Sequence, residues 1–518
     1  MSETHRGIVV ALASVVLVAT PGTLPAVSAQ ARSKLAIDMA DVLGPAGAIG
    51  DLLGVQAGPA TVGRRDDVDR WVYAAWRELG LRVTPLPLYG PDGGVSVLRD
   101  RTGKLALNFK ALEDSVRYFG GSLGTKKPDF SVGPTPQALS SNPRDTHPQY
   151  YSPQSHDEWR DIVGQTVRYI KERLRIEGAT YWLMEEYDNC TVWRGRSRCR
   201  DGDVAPSETL DDLLELYVHT WRAVKAADPK AKVGGPGTIS YATAINKAKG
   251  WATWGFDEFI GGLAQYNTRN PGSAVTLDKV TWQDYDWTRS GRLSDGVAHV
   301  RQVLARHGLS PRMPLVVIGW NTNYGDNIGE IVPCGTDSLA RRASFFVSNI
   351  IRELAPGGQR GLSEGYLWPF DHDNGCPRLA VITAPAAAFD GFPPVSEFCK
   401  RPAYAGLQML RAMAAGRFVR ATAAQPLQAL ASADRGRVAA TAVNHSDSAR
   451  PVTMRFQNLP LRSGAAAVIV RRVDDGHSAG CSGLETGTSL RALIADAATE
   501  LSFSLPPYGM VQVILSAR

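Results

Sequence analysis

The sequence predicts an α/β protein, a (β/α)8 TIM barrel with a C-terminal β-sandwich domain. From Lys34 to about Leu410, short apolar runs alternate with segments whose apolar residues recur at helical spacing, the pattern of a parallel sheet wrapped in helices. After Gly416 the helical spacing disappears, and short strand-like runs follow one another across Gly, Pro, Asn and Asp. The length of 518 residues is more than one core normally holds. The expected division is a signal peptide over 1–29, a barrel over 32–415 and a β-sandwich over 416–518.

Leu35-Ala-Ile-Asp38 reads as the first barrel strand. Trp71 to Leu79 is amphipathic and leads into Leu81-Arg-Val-Thr84, and Lys127 to Val132 forms the third strand. Trp159, Ile162, Val163, Val167, Ile170 and Leu174 share one helical face and precede the strand Ala179 to Met184. Leu213, Leu214, Tyr217, Trp221 and Val224 mark the next helix, before Lys232-Val-Gly-Gly235. Val280 to Gln283, Leu315 to Ile318 and Gly365 to Trp368 complete eight strands. Beyond them, Leu427–Ala431, Val438–Val443, Val452–Phe456, Ala466–Val470, Leu501–Leu505 and Val511–Leu515 read as sandwich strands.

Composition is globular, 44% apolar and 21% charged, and the formal net charge of +6 is spread along the chain. That spread contains no nucleic-acid module and permits an acidic ligand without requiring one. His5-Arg6, the apolar run Ile8 to Ala19 and Ala26-Val-Ser-Ala29 read as a secretory signal too short to span a bilayer, so an exported chain is expected. The six cysteines lack zinc-site spacing and are expected as disulfides, with Cys190–Cys199, Cys334–Cys376 and Cys399–Cys481 the pairings considered. Asn189-Cys-Thr191 and Asn444-His-Ser446 are glycosylation sequons.

The most informative segment is Ala179 to Asp188, where a strand-forming run ends in the adjacent carboxylates Glu185 and Glu186. Successive strand residues point to opposite sides, so the two acids occupy different environments. A carboxyl group at the carboxyl end of a barrel strand suits a general acid, and an ion pair at a strand edge is the bland alternative. No Gly-rich phosphate loop, nucleophile elbow or zinc signature occurs, and neither a metal nor a cofactor is expected. His372 lies between Asp371 and Asp373 without a third ligand in view.

An ordered set of landmarks resembles glycoside hydrolase family 39, the family of β-xylosidases and α-L-iduronidase. They are Ala57-Gly-Pro59, Lys127-Pro128 with Gly133-Pro-Thr-Pro136, Glu158-Trp159, Trp182 to Asp188, Leu216-Tyr217, Ala223-Val-Lys225, Asp228-Pro229, Val233-Gly-Gly-Pro236, Trp320-Asn321 and Lys400-Arg-Pro-Ala-Tyr404. The resemblance implies a carbohydrate substrate and a retaining mechanism, in which one carboxylic acid protonates the glycosidic oxygen and a carboxylate about 5–5.5 Å away attacks the sugar. By position it implies Glu186 as acid/base. The family's strand-seven Thr-Glu-Trp-Asn aligns with Ile318-Gly319-Trp320-Asn321, so the attacking carboxylate is replaced by glycine. The family's Asn before the acid is Glu185, its Arg-x-His aligns with Thr84-Pro85-Leu86, and its strand-six His aligns with Gln283, while Tyr285 is retained.

Losing a nucleophile from a catalytic unit removes about 10⁴–10⁶-fold in rate, which leaves three expectations. Another carboxylate serves, from Glu185, Asp284, Asp286, Asp326, Glu330, Asp371 or Asp373; or the substrate supplies its own nucleophile; or the barrel binds carbohydrate without cleaving it. Tyr187, Gln283, Tyr285, Trp320, Asn321 and Trp368 are the candidate substrate contacts, each weighed against packing, and Trp282 and Trp287 flank the strand-six cluster.

Overall fold

The computed structural model describes residues 33–45, 52–55, 74–83, 86–89, 94–120, 128–183, 186–189, 193, 206–239, 241, 247, 252, 254–284, 292–320, 339–355, 361–367, 382–383, 399–413, 416–478, 483–495 and 497–517. Eight parallel strands form the first sheet: β1 (Leu53–Val55), β2 in two pieces (Arg82–Val83 and Leu86–Pro87), β3 (Phe130–Ser131), β4 (Thr180–Trp182), β5 (Lys232–Thr238), β6 (Lys279–Asp284), β7 (Leu315–Trp320) and β8 (Glu364–Leu367). Each pairs with its neighbour in sequence, and β8 pairs with β1. One piece of β2 bonds to β1 and the other to β3, so the order returns through β2 to its start, a TIM-barrel-like arrangement.

The strands are buried on both faces, as helix-covered parallel sheets require; every residue of β6 and β7 is buried. Trp182, Val316, Ile318 and Tyr366 cluster inside the ring. Their strand neighbours Tyr181, Leu183, Leu315, Val317 and Trp320 join the larger cluster shared with the helices. Gly54 on β1 is dictated by this packing, because a Cβ there would lie 2.4 Å from the Tyr366 ring.

The helix expected before β4 spans His156–Glu172, with the Ser155 hydroxyl accepting the Glu158 N–H at 3.2 Å as N-cap. Trp159, Ile162, Val163, Val167 and Ile170 are its buried stripe, as their spacing predicts. Helix Pro206–Ala227 follows β4. A hairpin, Ser96–Arg99 with Leu105–Asn108, lies outside the expected pattern.

One expectation is corrected. Leu35–Asp38 is not the first barrel strand; Leu53–Val55 is. Strand Ser33–Pro45 instead lies in the second sheet, antiparallel to Arg417–Ala423 and parallel to Arg450–Gln457. The reason is periodicity: Leu35, Ile37 and Met39 are buried while Lys34, Ala36 and Ala40 are exposed. That alternation belongs to a sheet with one wet face, unlike the doubly buried barrel strands.

The second sheet has nine strands, in the order Thr488–Ile494, Gly464–Val473, Met510–Ser516, Arg437–Asn444, Leu427–Asp434, Arg417–Ala423, Ser33–Pro45, Arg450–Gln457 and Thr499–Leu505. Leu35, Ile37, Val438, Ala440, Val452, Met454, Val468 and Val513 meet in a single core of their own. Asn444 is fully buried in it, donating through Nδ2 at 2.8 Å to the carbonyls of both Ser448 and Pro506. Its sequon is therefore closed to a glycan in the folded chain.

Cys399 is disulfide-bonded. The other five cysteines, and so the expected pairings, lie outside the described residues, as does the apolar leader. Among the described residues no helix is long and apolar enough to cross a membrane.

Candidate active site

Strand β4 ends at Trp182, and the chain reaches Glu186 at the carboxyl end of the ring, beside the end of β5. The Glu186 N–H donates to the Gly237 carbonyl at 2.9 Å, and the Glu186 carbonyl accepts the Asn189 N–H at 2.8 Å. Glu186 holds a φ of 52°, in the left-handed region that side chains rarely adopt and that is frequent at functional sites. Asn189 Nδ2 donates to the carboxyl at 2.9 Å, and the Gln283 amide donates to it from β6. Burial pushes the carboxyl above its ordinary value, and these two hydrogen bonds pull it only part of the way back. The group therefore keeps its proton to higher pH than an exposed glutamate, which is what a general acid needs.

Two residues on, Asp188 is 1% exposed. Its Oδ1 accepts the Ile239 N–H at 2.9 Å, and its Oδ2 has no hydrogen-bond partner among the described residues. Burial, then the charges of Glu186 and Glu258, hold this carboxyl well above its ordinary value. Sequence reasoning passed over Asp188; the available signal was an acid set among Tyr187 and an apolar strand.

The pleat of β6 sorts the next candidates. Trp282 belongs to the outer cluster, so Gln283 faces inward, where it reaches Glu186. Gln283 pairs with Gly319 and Asp284 with Trp320, across an irregularity after Trp282. Asp284, expected as a catalytic carboxylate, is buried at the last position of β6. Gly319 is the strand partner of Gln283.

Two expected substrate contacts are corrected to packing residues. Trp320 is 1% exposed and sits edge-on to Phe346, with ring centroids 5.6 Å apart, against helix Leu339–Asn349. Tyr187 is 3% exposed, its ring edge-on to Trp193 at 4.8 Å and its hydroxyl donating to the Val132 carbonyl at 3.4 Å. Both side chains are large and apolar, and the shell around the ring buries them. Glu185, Tyr285, Asp286, Trp287, Asn321, Asp326, Glu330, Trp368, Asp371, His372 and Asp373 lie outside the described residues.

The opposite, amino-terminal end of the ring is closed by buried charge. Arg82 Nη2 lies 3.2 Å from Asp129, Arg82 Nη1 3.4 Å from Glu364, and Lys279 Nζ 2.9 Å from Glu364 and 3.6 Å from Asp129. Arg82, Lys279 and Glu364 open their strands and Asp129 just precedes β3, so the quartet plugs the end where barrel residues serve stability. Burial drives Glu364 upward, but Lys279 and Arg82 overcome it and hold its carboxyl below the ordinary value.

Comparison with known proteins agrees with this geometry. Residues 64–295, which contain β2 to β6 and Glu186, match the profile of Glycosyl hydrolases family 39. Over that stretch, a little under half of its length, the chain is similar to glycoside hydrolase family 39. A β-xylosidase of Geobacillus stearothermophilus is 28% identical over 118 residues, 21% of each chain. A β-xylosidase of Caldicellulosiruptor saccharolyticus is 23% identical over 235 residues, 44% of this chain and 41% of the relative. The chain thus spans less than half the length of these curated relatives. In fold it resembles a family 39 enzyme from Xanthomonas axonopodis pv. citri, with TM-score 0.69 and 17% identity over 94% of this chain and 98% of the other. A monomeric β-xylosidase from Caulobacter crescentus CB15 gives 0.68 and 18%, over 94% of this chain and all of the other. The matched profile stops short of Gly319.

Proposed function

We propose that this chain is an exported glycoside hydrolase of family 39 that cleaves O-glycosidic bonds of a polysaccharide or glycoside, with Glu186 as general acid. One observation carries the reading: a proton-retaining carboxyl group at the carboxyl end of β4, held by Asn189 and Gln283 at the mouth of the ring. In the reaction Glu186 gives its proton to the glycosidic oxygen as the bond to the anomeric carbon breaks, and water completes hydrolysis. The second carboxylate is unassigned. Glu185, Asp284, Asp286, Asp326, Glu330, Asp371 and Asp373 are the candidates. Tyr285, Asn321 and Trp368 are proposed to line the sugar site with Gln283. The second sheet is proposed to be a β-sandwich packed on the barrel, and the leader and the bonded Cys399 support export to an oxidising compartment.

Glu186→Gln tests the assignment, because it keeps the shape and removes the proton. Release of reducing sugar from any substrate the wild type cleaves is expected to fall about 10²–10⁴-fold. Unchanged turnover removes Glu186 from the mechanism. A second reading, a carbohydrate-binding protein without turnover, is favoured by Gly319 on β7, a glycine where the family carries its attacking carboxylate. It predicts glycan binding without cleavage across a broad substrate panel, and measurable hydrolysis excludes it.

A further inference from the structure

We propose that His156, Glu215 and His219 form a binding site for a divalent transition-metal ion of the zinc type, on the outer face of the barrel. His156 opens helix His156–Glu172, which leads into β4, and the other two lie on helix Pro206–Ala227, which follows it. Four residues apart, Glu215 and His219 share a face. The helices are already tied there, Trp159 Nε1 donating to Thr220 Oγ1 at 2.9 Å. His156 Nδ1 lies 3.0 Å from Glu215 Oε1, and the two imidazole rings stack with centroids 5.0 Å apart and planes 22° from parallel. One ligand atom from each residue falls within 4.8 Å of the others.

Around one tetrahedral zinc, with bonds of about 2.0–2.2 Å, ligand atoms stand roughly 3.3–3.6 Å apart. Contraction of about an ångström, available to the exposed Glu215 side chain, would close the site. An ion pair alone accounts for His156 and Glu215, yet it leaves the buried Nδ1 of His219 with no hydrogen bond among the described residues. A metal ion accounts for all three. Two imidazoles and one carboxylate leave a fourth position to water, and they suit zinc over magnesium or calcium. Lying outside the ring, the ion would clamp the two helices that bracket the strand leading to Glu186. The ligands are separated by 59 and 4 positions, so no short sequence signature marks them.

The test is calorimetric titration of tag-free, EDTA-stripped full-length protein with zinc chloride, and with magnesium chloride for contrast. One zinc per chain, a raised melting temperature and no magnesium binding are expected. His219→Ala and Glu215→Gln, at half-buried and exposed positions, are each expected to weaken zinc binding at least tenfold and to melt near the wild type without metal, while Glu186→Gln binds zinc normally. Absence of stoichiometric zinc binding overturns the proposal. So does unchanged binding in Glu215→Gln, or loss of binding in Glu186→Gln.

Discussion

Replacing Lys279 with methionine isolates what the buried quartet does for the barrel. The wild-type plug balances two cations against two anions, with side chains only 6–13% exposed. Lys279→Met keeps the length of the side chain but takes from Glu364 its nearest cation, at 2.9 Å, and leaves two carboxylates sharing Arg82. Breaking a buried ion pair from one side costs about 3–5 kcal/mol, because the remaining charge is neither hydrated nor compensated. The cost depends on pH in a definite sense. In the wild type the Glu364 carboxyl is held low, so its contribution is present above its ordinary value and is lost as pH falls through the folded one. Without Lys279 burial prevails and the folded value rises, so the penalty is full at pH 7 and shrinks as acidification to pH 4 protonates the carboxyl. Urea unfolding followed by tryptophan fluorescence at both pH values measures it. The double variant with Glu364→Gln is expected to recover most of the loss, since Arg82 and Asp129 then remain as a balanced pair. A loss under about 1 kcal/mol at pH 7, or one that grows on acidification, refutes the reasoning.

Two further outcomes are expected. Asp188 has a folded value raised by burial, so its contribution is present at low pH and is lost as pH rises through that value. Asp188→Asn should therefore match the wild type in acid and melt higher at neutral pH, and it should move the alkaline limb of any pH–rate profile down by relieving Glu186; an unchanged pH dependence of melting counts against it. Expressed in a host that glycosylates, the folded chain should carry no glycan at the buried Asn444, and intact mass with peptide mapping reads this directly.

The legible part of the fold was periodic. The stripe of Trp159, Ile162, Val163, Val167 and Ile170 predicted its helix, and the apolar runs at Lys232, Val280, Leu315 and Gly365 predicted barrel strands, because burial leaves a residue-by-residue imprint. Leu35–Asp38 failed for the same reason in reverse: its alternation was present, but the order of elements outweighed it. In the site, Glu186 stood out as a carboxyl ending an apolar strand. Gln283 was ambiguous, and Asp188 and Asn189 were not recognised as its neighbours, since their proximity comes from the turn after β4 and the pairing of β4, β5 and β6.

The chain's sequence alone determined the alternating architecture, the acid position at the end of β4 and the glycine at 319, since each is a matter of residue type at a place in a pattern. Only the tertiary structure decided that the first strand joins the second sheet, that Gln283 faces Glu186 while Trp320 packs against a helix, and that four charges at the starts of four strands meet in one plug. Those facts depend on strand register and on which face a helix covers, and neither is set by neighbours along the chain.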